Sequence, residues 1–477
     1  MDELRSVPPK MELRAGELAE QLLPELESYH RVYNPLFKRR EQREQSMQYL
    51  QGLLSAIPNK SVECMVLHMA GDDPNAIRAT QQFIGQGAWA DEEILEQHWQ
   101  EVEKDLGDVQ GVIILDGSDF PKQGGESVGV KRQWCGQLGK RAQWAPDCQA
   151  GVFLGYASLK GYTLLHRRLY LPEEWLCEDA YADRRQKCGV PSDVTFKTKP
   201  ELGLEMLRQV AQTDTLSFRW LTCDEAFGRD SKFLDQAAQY VYYFAEVPHD
   251  TRVWQQRPAT AVPAWSGRGR KPTQERLVAG SPAPHTVVDL AATLSASAWS
   301  RQTVKEGSQG PIVADFACLQ VVAVRDDLPG PDLRLVFRRQ LETGELKCYL
   351  SNEAADTPLQ TFVWLSGMRW PLETCFEEGK QEIGLGDYQT RSWTGWHHHM
   401  TLCLLAHFLL VRLQLKLQDK APALTLPQAV LLLQSILPKP KFDAALALEI
   451  VQYRQRRNHF AYQSHRKKRI IHSEVSL

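Results

Sequence analysis

The stretch "GVIILDGSDFPKQGG" (residues 111–125) sets a short apolar run directly against Asp116, followed by a Gly-Ser turn signal, a second acid at Asp119, and Lys122. The run reads as a buried strand ending at Leu115. A carboxylate placed there is costly to bury alone, so Asp116 needs a turn role or a cation. A second stretch of the same grammar, "FRWLTCD" (218–224), ends in Asp224. If the two strands are neighbours in one sheet, both carboxylates leave the same edge, where open α/β sheets gather functional groups. Two anions at close range repel, and a divalent cation between them relieves the repulsion. Magnesium suits such a pair, because it takes few carboxylate oxygens and completes its shell with water and phosphate oxygens.

Working outward, "AGVFLGYASL" (150–159) and "YTLLHRRLYLP" (162–172) read as adjacent strands of the same sheet. A helix over 199–213, the strand at 218–224 and a helix over 231–239 follow. Strands first in a meander and then alternating with helices predict a mixed α/β sheet. Residues 12 to about 107 carry helical periodicity separated by short polar turns, which predicts a helical N-terminal region. Between about 250 and 310 the composition turns to Pro, Gly, Ser and Ala, the mark of a loop or linker. Strand-like runs resume at 321–326, 333–340 and 346–352, and helices at 371–383, 396–417 and 440–454. The expected division is 1–107 helical, 108–249 the first part of an α/β core, and 250–360 a β-rich insertion. Residues 361–417 are expected to return to the core, and 418–477 to form a helical C-terminal region with a basic tail.

The bulk properties bound the function. A chain of 477 residues, 43% hydrophobic and 24% charged, is an ordinary globular protein rather than a disordered or fibrous one. The net charge of −3 offers no global attraction to nucleic acid, so any polyanion site must be local. The ten cysteines are scattered without metal-binding or redox spacing, as expected of reduced thiols in a cytosol. The N-terminus lacks signal-peptide order. The most apolar window, 400–417, contains His407, Arg412 and Lys416, which favours a buried core helix over a membrane span.

A third acid comes from "GMRWPLETCFEEGKQEIGLGDYQTRSW" (367–393). Pro371 suits the first turn of a helix and places Glu373 in that turn, with Phe376 and Lys380 on its face and Arg369 just ahead. A carboxylate flanked by two cations can serve a metal while the cations grip a phosphodiester. Glu377, one turn on, and its neighbour Glu378 compete for the third position, and Asp119, read as lying beyond the turn, competes with Asp116. The spacing Arg369-x3-Glu373-x6-Lys380 resembles the signature of the DDE transposases of bacterial insertion sequences, in the branch with a Tyr-Arg-Glu-Lys motif and an RNase H-like catalytic domain. Ser366 stands where that branch has its Tyr. "DGSDFPKQG", "SVGVKRQWCGQLGK", "CDEAFGRD", "CYLSNEAADTPL" and "RSWTGWHHHMTL" also resemble the family, over roughly residues 45–415.

The resemblance implies an RNase H-like mixed sheet with a β-rich insertion before the last acid, 108–249 and 361–417 forming the catalytic core and 1–107 binding DNA. It also implies that Asp116, Asp224 and Glu373 are the metal-binding catalytic triad; Glu373 follows Asp224 by 149 residues (373 − 224), room enough for such an insertion. The cofactor implied is Mg²⁺, for which Mn²⁺ can substitute. The partners implied are transposon-end DNA and target DNA, engaged by a homodimer in the cytosol, nucleoid-associated when bound and with no membrane role. Arg369 and Lys380 are expected on phosphate, as are Lys131, Arg132 and Lys140. The glycine-spaced Arg268, Arg270 and Lys271 form a loop able to enter a narrow minor groove. The basic stretches "RQRRNHF" and "HRKKR" near the C-terminus suit backbone neutralisation, with steep salt dependence. His397, His398 and His399 point about 100° apart on a helix and cannot converge on one ion, which predicts core or surface roles. The rival classes are a DNA-binding regulator that keeps the fold without the reaction, and a glycosidase, which would not need Arg369 and Lys380 at fixed offsets.

Overall fold

The computed structural model describes residues 10–133, 135–136, 147–265, 267, 270–307, 310–438 and 442–475. Five helices lead the chain: α1 (Ala15–Tyr33), α2 (Arg40–Leu53), α3 (Val62–Ala70), α4 (Pro74–Gln86) and α5 (Asp91–Leu106). Asp73 caps α4, accepting hydrogen bonds from the amides of Asn75 and Ala76, and Pro74 follows where its missing N–H costs nothing.

The sheet then begins with β1 (Val112–Pro121), β2 (Lys131–Arg132), β3 (Asp147–Ser158) and β4 (Gly161–Tyr170). After α6 (Glu173–Cys177) and α7 (Ala182–Cys188), the helix α8 (Lys199–Gln212) opens on a capping box between Thr198 and Glu201. It leads into β5 (Trp220–Cys223), α9 (Glu225–Gly228), α10 (Ser231–Ala237) and β6 (Tyr242–Val247). Next come β7 (Arg252–Trp254), β8 (Thr260–Ala261), β9 (Arg276–Leu277), β10 (His285–Thr286), α11 (Val287–Thr293), β11 (Ser300–Gly307), β12 (Gly310–Arg325), β13 (Leu328–Gln340) and β14 (Leu346–Ser351). The chain closes with α12 (Leu359–Leu365), α13 (Trp370–Glu378), a π-helical turn (Gly379–Ile383), α14 (Trp393–Leu417), α15 (Leu426–Ile436) and α16 (Ala444–Val475).

Twelve strands form one mixed sheet among the described residues, in the order β10-β7-β12-β13-β14-β6-β5-β1-β3-β2, with β4 on β3 and β11 on β12. β5 runs parallel to both β1 and β6, while β1, β3 and β4 are antiparallel neighbours. This is the mixed α/β class expected, and the later strands β11 to β14 join the central ones edge to edge through β14 and β6. A single apolar cluster runs from Leu22 to Leu437 through the sheet. At its centre α14, long and apolar enough to cross a membrane by length and composition, is instead wrapped by protein, 78% of its most apolar window being buried. All ten cysteines are free thiols.

Three sequence expectations need correction. β1 does not stop at Leu115. Its parallel partner β5 ends there, Leu115 facing Cys223, but its antiparallel partner β3 pairs on to Pro121, facing Cys148. Asp116 and Asp119 therefore both lie within the strand. The stretch 250–310 is not all loop: α11 and the half-exposed edge strand β11, whose sequence "SRQTVKEG" has too few apolar residues to announce it, fall inside it. The third concerns the C-terminus, where the expected helix of 440–454 begins at Ala444 and continues through the basic stretch to Val475, no Pro or Gly interrupting it.

Candidate active site at the sheet edge

Where β5 ends and β1 continues, the two strand acids become neighbours, since Leu115 pairs with Cys223 in the residue before each. Asp116 Oδ1 accepts a hydrogen bond from the amide of Gly117 at 2.7 Å. Asp224 is the N-cap of α9, its Oδ1 accepting from the amides of Ala226 (3.0 Å) and Phe227 (3.3 Å). Burial, reinforced by the negative charge of Asp224, pushes the Asp116 carboxyl up to about 7; the Gly117 amide and Arg369 oppose the shift, and Glu373 adds to it. Burial likewise drives the Cys223 thiol upward, with Asp224 and Asp116 next in weight.

The third element is α13, which lies against β3 and β4. It approaches closely because Gly155 on β3 has no side chain: a Cβ there would stand 2.9 Å from Leu372 Cδ1. Leu372 is buried in this contact and Glu373 follows it. Arg369, the N-cap residue, donates to Glu373 Oε1 at 2.9 Å and lies 3.5 Å from Glu246 Oε2. Lys347 donates to Glu246 Oε1 at 3.0 Å. Burial works against the Arg369 charge, but Glu246, Asp116, Glu373 and Asp224 together hold it more firmly protonated than usual. The structure thus brings Asp116, Asp224, Glu373 and Arg369 into one electrostatic group.

The neighbouring candidates separate cleanly. Glu378 turns inward, 3.1 Å from His407 Nε2, and Glu377 accepts from Gln381 on an exposed face. Asp119 accepts from the amide of Gly136 at 2.9 Å. Beyond Glu378 the π-helical turn intervenes, a feature that often marks functional sites, so α-helical spacing does not carry through to Lys380. Lys380 reaches the Asp119 carbonyl at 3.3 Å and lies over the Phe120 ring at 5.3 Å, with burial lowering its pKa. Ser366 is buried, donating to the Val363 carbonyl at 2.7 Å, while its own carbonyl accepts from Arg338 at 3.1 Å.

Sequence reasoning missed Glu246, Lys347, Lys305 and Arg338. The first could have been found: "YYFAEV" (242–247) is a third strand run with an acid near its end, and its Ala245 pairs with Cys223, beside Asp224. Burial, with Arg338 adding and Glu373 opposing, lowers the pKa of Lys305, which lies over the ring of Trp370 at 4.9 Å. Of the other basic candidates, Lys131 is ion-paired with Glu174, whereas Arg132, Arg270 and Lys271 are exposed. Lys140 and Arg268 lie outside the described residues. The three histidines are buried with separate partners: His397 at the Trp393 carbonyl, His398 at those of Ile84 and Trp89, and His399 at the Tyr49 hydroxyl.

An α/β protein with acids gathered at the edge of its central parallel strands is thus defined by fold and geometry. A family model described as DDE superfamily endonuclease matches residues 32–311, more than half of the chain, and the chain belongs to that family. The match spans Asp116 and Asp224 and stops before Glu373. No curated protein matches the chain. Among solved structures, the chain is similar to that described as "Cryo-EM structure of piggyBac transposase synaptic complex with hairpin DNA", at 11% identity and a TM-score of 0.40, covering 95% of this chain and 87% of that one.

Enzymes of such a superfamily generally use divalent metals, and the donor set here fits one. Asp116 and Asp224 are hard oxygen donors whose mutual repulsion a cation would relieve. Among the described residues no three His, Cys, Asp or Glu side chains already stand closed around one ion position. What engages Glu373 is the Arg369 pair, spanning one helical turn and 26% and 42% exposed, an interaction of about 0.3–0.5 kcal/mol that a stronger cation displaces readily.

Proposed function

We propose that this DDE superfamily endonuclease is a transposase that cleaves phosphodiester bonds at transposon ends and joins the freed 3′-hydroxyl to target DNA by a cut-and-paste route. The observation that carries the reading is the register of β1 and β5, which sets Asp116 beside Asp224, with Arg369 coupled to both and to Glu373. Asp116, Asp224 and Glu373 would hold Mg²⁺ or Mn²⁺. When bound, a pair of such ions supplies an activated oxygen nucleophile and stabilises the leaving oxygen.

The chain's own groups would then do the rest. Asp116, with its carboxyl near 7 in the metal-free chain, must be ionised to act as a ligand, so affinity for the divalent ion weakens as pH falls below about 7. Arg369, anchored by Glu246 on β6, would face the phosphoryl oxygens as a fixed cation, where charge developing in the transition state gains most. Lys380, held along β1 by the Asp119 carbonyl, would continue that cationic line. No Ser or Tyr nucleophile is needed. Because two ends must be joined, the working unit is a homodimer in the cytosol.

The test is a duplex carrying the element's end sequence, incubated with Mg²⁺ or with EDTA. Nicking by the parent chain that requires Mg²⁺ and is lost in Asp224→Asn supports the reading. Tight binding by the parent with no cleavage under any divalent ion overturns it in favour of a DNA-binding regulator.

A further inference from the structure

Helix α16 is packed on the molecule at one end and exposed at the other. Its first half is anchored: Ile450 and Tyr453 pack on Val66, Leu67 and Ile77 of α3 and α4, and Arg456 and Arg457 pair with Asp72 and Glu63. Beyond Arg457, every residue to Lys467 is exposed, Phe460 and Tyr462 included at 67% and 65%. Yet the helix continues to Val475.

Its charge is as one-sided as its exposure. Residues 454–469 contain seven Lys and Arg and no Asp or Glu, in a chain whose net charge is −3. At about 1.5 Å per residue the seven cations lie within about 24 Å of helix axis. At about 100° per residue, Arg466, Lys467 and Arg469 fall on different sides of the helix, and so do Phe460 and Tyr462. A helix that seeks a membrane surface or a partner helix gathers its apolar residues into one stripe, and among the described residues from Asn458 to Lys467 there is none. A helix ringed by cations fits instead a polyanion that approaches from more than one side, as the phosphate walls of a duplex groove do.

We propose that the distal half of α16 is a grip on the backbone of duplex DNA, separate from the cleavage site and indifferent to sequence. It rests on the reading of DNA as the substrate. The grip would hold DNA flanking the cleaved end while the sheet edge acts.

The test is the triple variant R466Q/K467Q/R469Q in the full-length chain, titrated with a random-sequence duplex between 50 and 200 mM salt. Loss of three phosphate contacts lowers the slope of log affinity against log salt by about 2–3, with Mg²⁺-dependent nicking of saturating end duplex unchanged. An unchanged slope overturns the proposal. So does a variant that only turns from dimer to monomer in sedimentation, or one that only loses binding to phosphatidylserine vesicles, since these assign the helix to a second copy or to a membrane. Asp224→Asn must keep the full slope; a parent chain that never nicks but binds with the full slope removes the transposase reading and leaves the grip standing.

Discussion

Two regions of this molecule gather acids and bases out of water, with opposite results. Among α1, α5 and α14, Arg412 donates to Glu25 at 2.9 Å and to Glu101 at 2.8 Å, Lys416 also pairs with Glu25, and Lys104 with Glu101. Each acid there meets a base, Asp105 more loosely, 3.4 Å from Arg412 with burial raising its carboxyl. Burial alone would raise the Glu101 carboxyl, but Lys104 and Arg412 hold it below the usual carboxylate range. At the sheet edge, Asp116, Asp224, Glu246 and Glu373 surround Arg369, with Lys347 engaged at Glu246. Asp116 and Asp224 are met by backbone amides, and Asp116 is driven up to about 7. The first region is balanced and serves to hold three helices in place. The second leaves Asp116 and Asp224 without an ion-pair partner among the described residues, met by backbone amides alone, the mark of a site built for something that arrives later.

The comparison breaks if the two regions respond alike to loss of one charge. Asp224→Asn keeps the α9 cap but removes a carboxylate, and is expected to lower Mg²⁺-dependent nicking by about 10³-fold or more with no loss of thermal stability. Arg412→Met does the reverse: it removes the cation shared by Glu25, Glu101 and Asp105, leaves Asp105 with none, and is expected to cost about 3 kcal/mol in urea unfolding while the remaining folded protein nicks normally. An unfolded Asp224→Asn, or an unperturbed Arg412→Met, would erase the distinction.

The pH dependence of Asp116 sharpens it further. Its carboxyl is raised from 3.8 to about 7, so between those values the folded chain holds a proton that the unfolded chain has lost. Stability contributed by that proton is present at low pH and lost as pH rises through about 7. With EDTA present, Asp116→Asn is expected to be more stable than the parent by about 2–4 kcal/mol at pH 8, a gap that closes near pH 4. Added Mg²⁺ should narrow the gap at pH 8 by stabilising the parent alone. Urea melts at the two pH values check this, and parallel curves would remove the claim of an uncompensated carboxylate.

How far the sequence alone reached follows from the range of the forces involved. The two strand acids were legible because an apolar β-branched run next to a carboxylate is a local conflict, visible in a dozen residues. The helix with Glu373 was legible from Pro371 and the spacing of Arg369 and Lys380. The continuation of β1 past Asp116 was not, because it depends on β3 pairing where β5 has ended, and register between strands is not written in either strand alone. Glu246 was missed for the same reason, and Lys305 because β11 has too polar a pattern to read as a strand. The exposed half of α16 looked like a tail since charge runs without apolar periodicity give no helical signal.

The smallest expected effect comes from the histidines of α14, which test whether a polar cluster that is satisfied within the fold behaves as structure. His399 Nδ1 lies 2.8 Å from the Tyr49 hydroxyl, and burial, with the charge of Lys122 adding to it, lowers its pKa to about 3. Its sign is opposite to that of Asp116: the neutral ring is favoured in the fold, so its contribution is present above about 6.5 and is lost as pH falls toward 3. Tyr49→Phe leaves the ring without that partner and is expected to cost about 1–3 kcal/mol, equally at pH 7 and pH 8, with nicking unchanged. Zinc should shift the melting temperatures of the parent chain and of His398→Ala alike, since the three rings point to separate partners. A zinc-induced rise that disappears in His398→Ala would show that rings placed apart by the helix converge after all, and the contrast between a closed polar cluster and an open one would lose its simplest case.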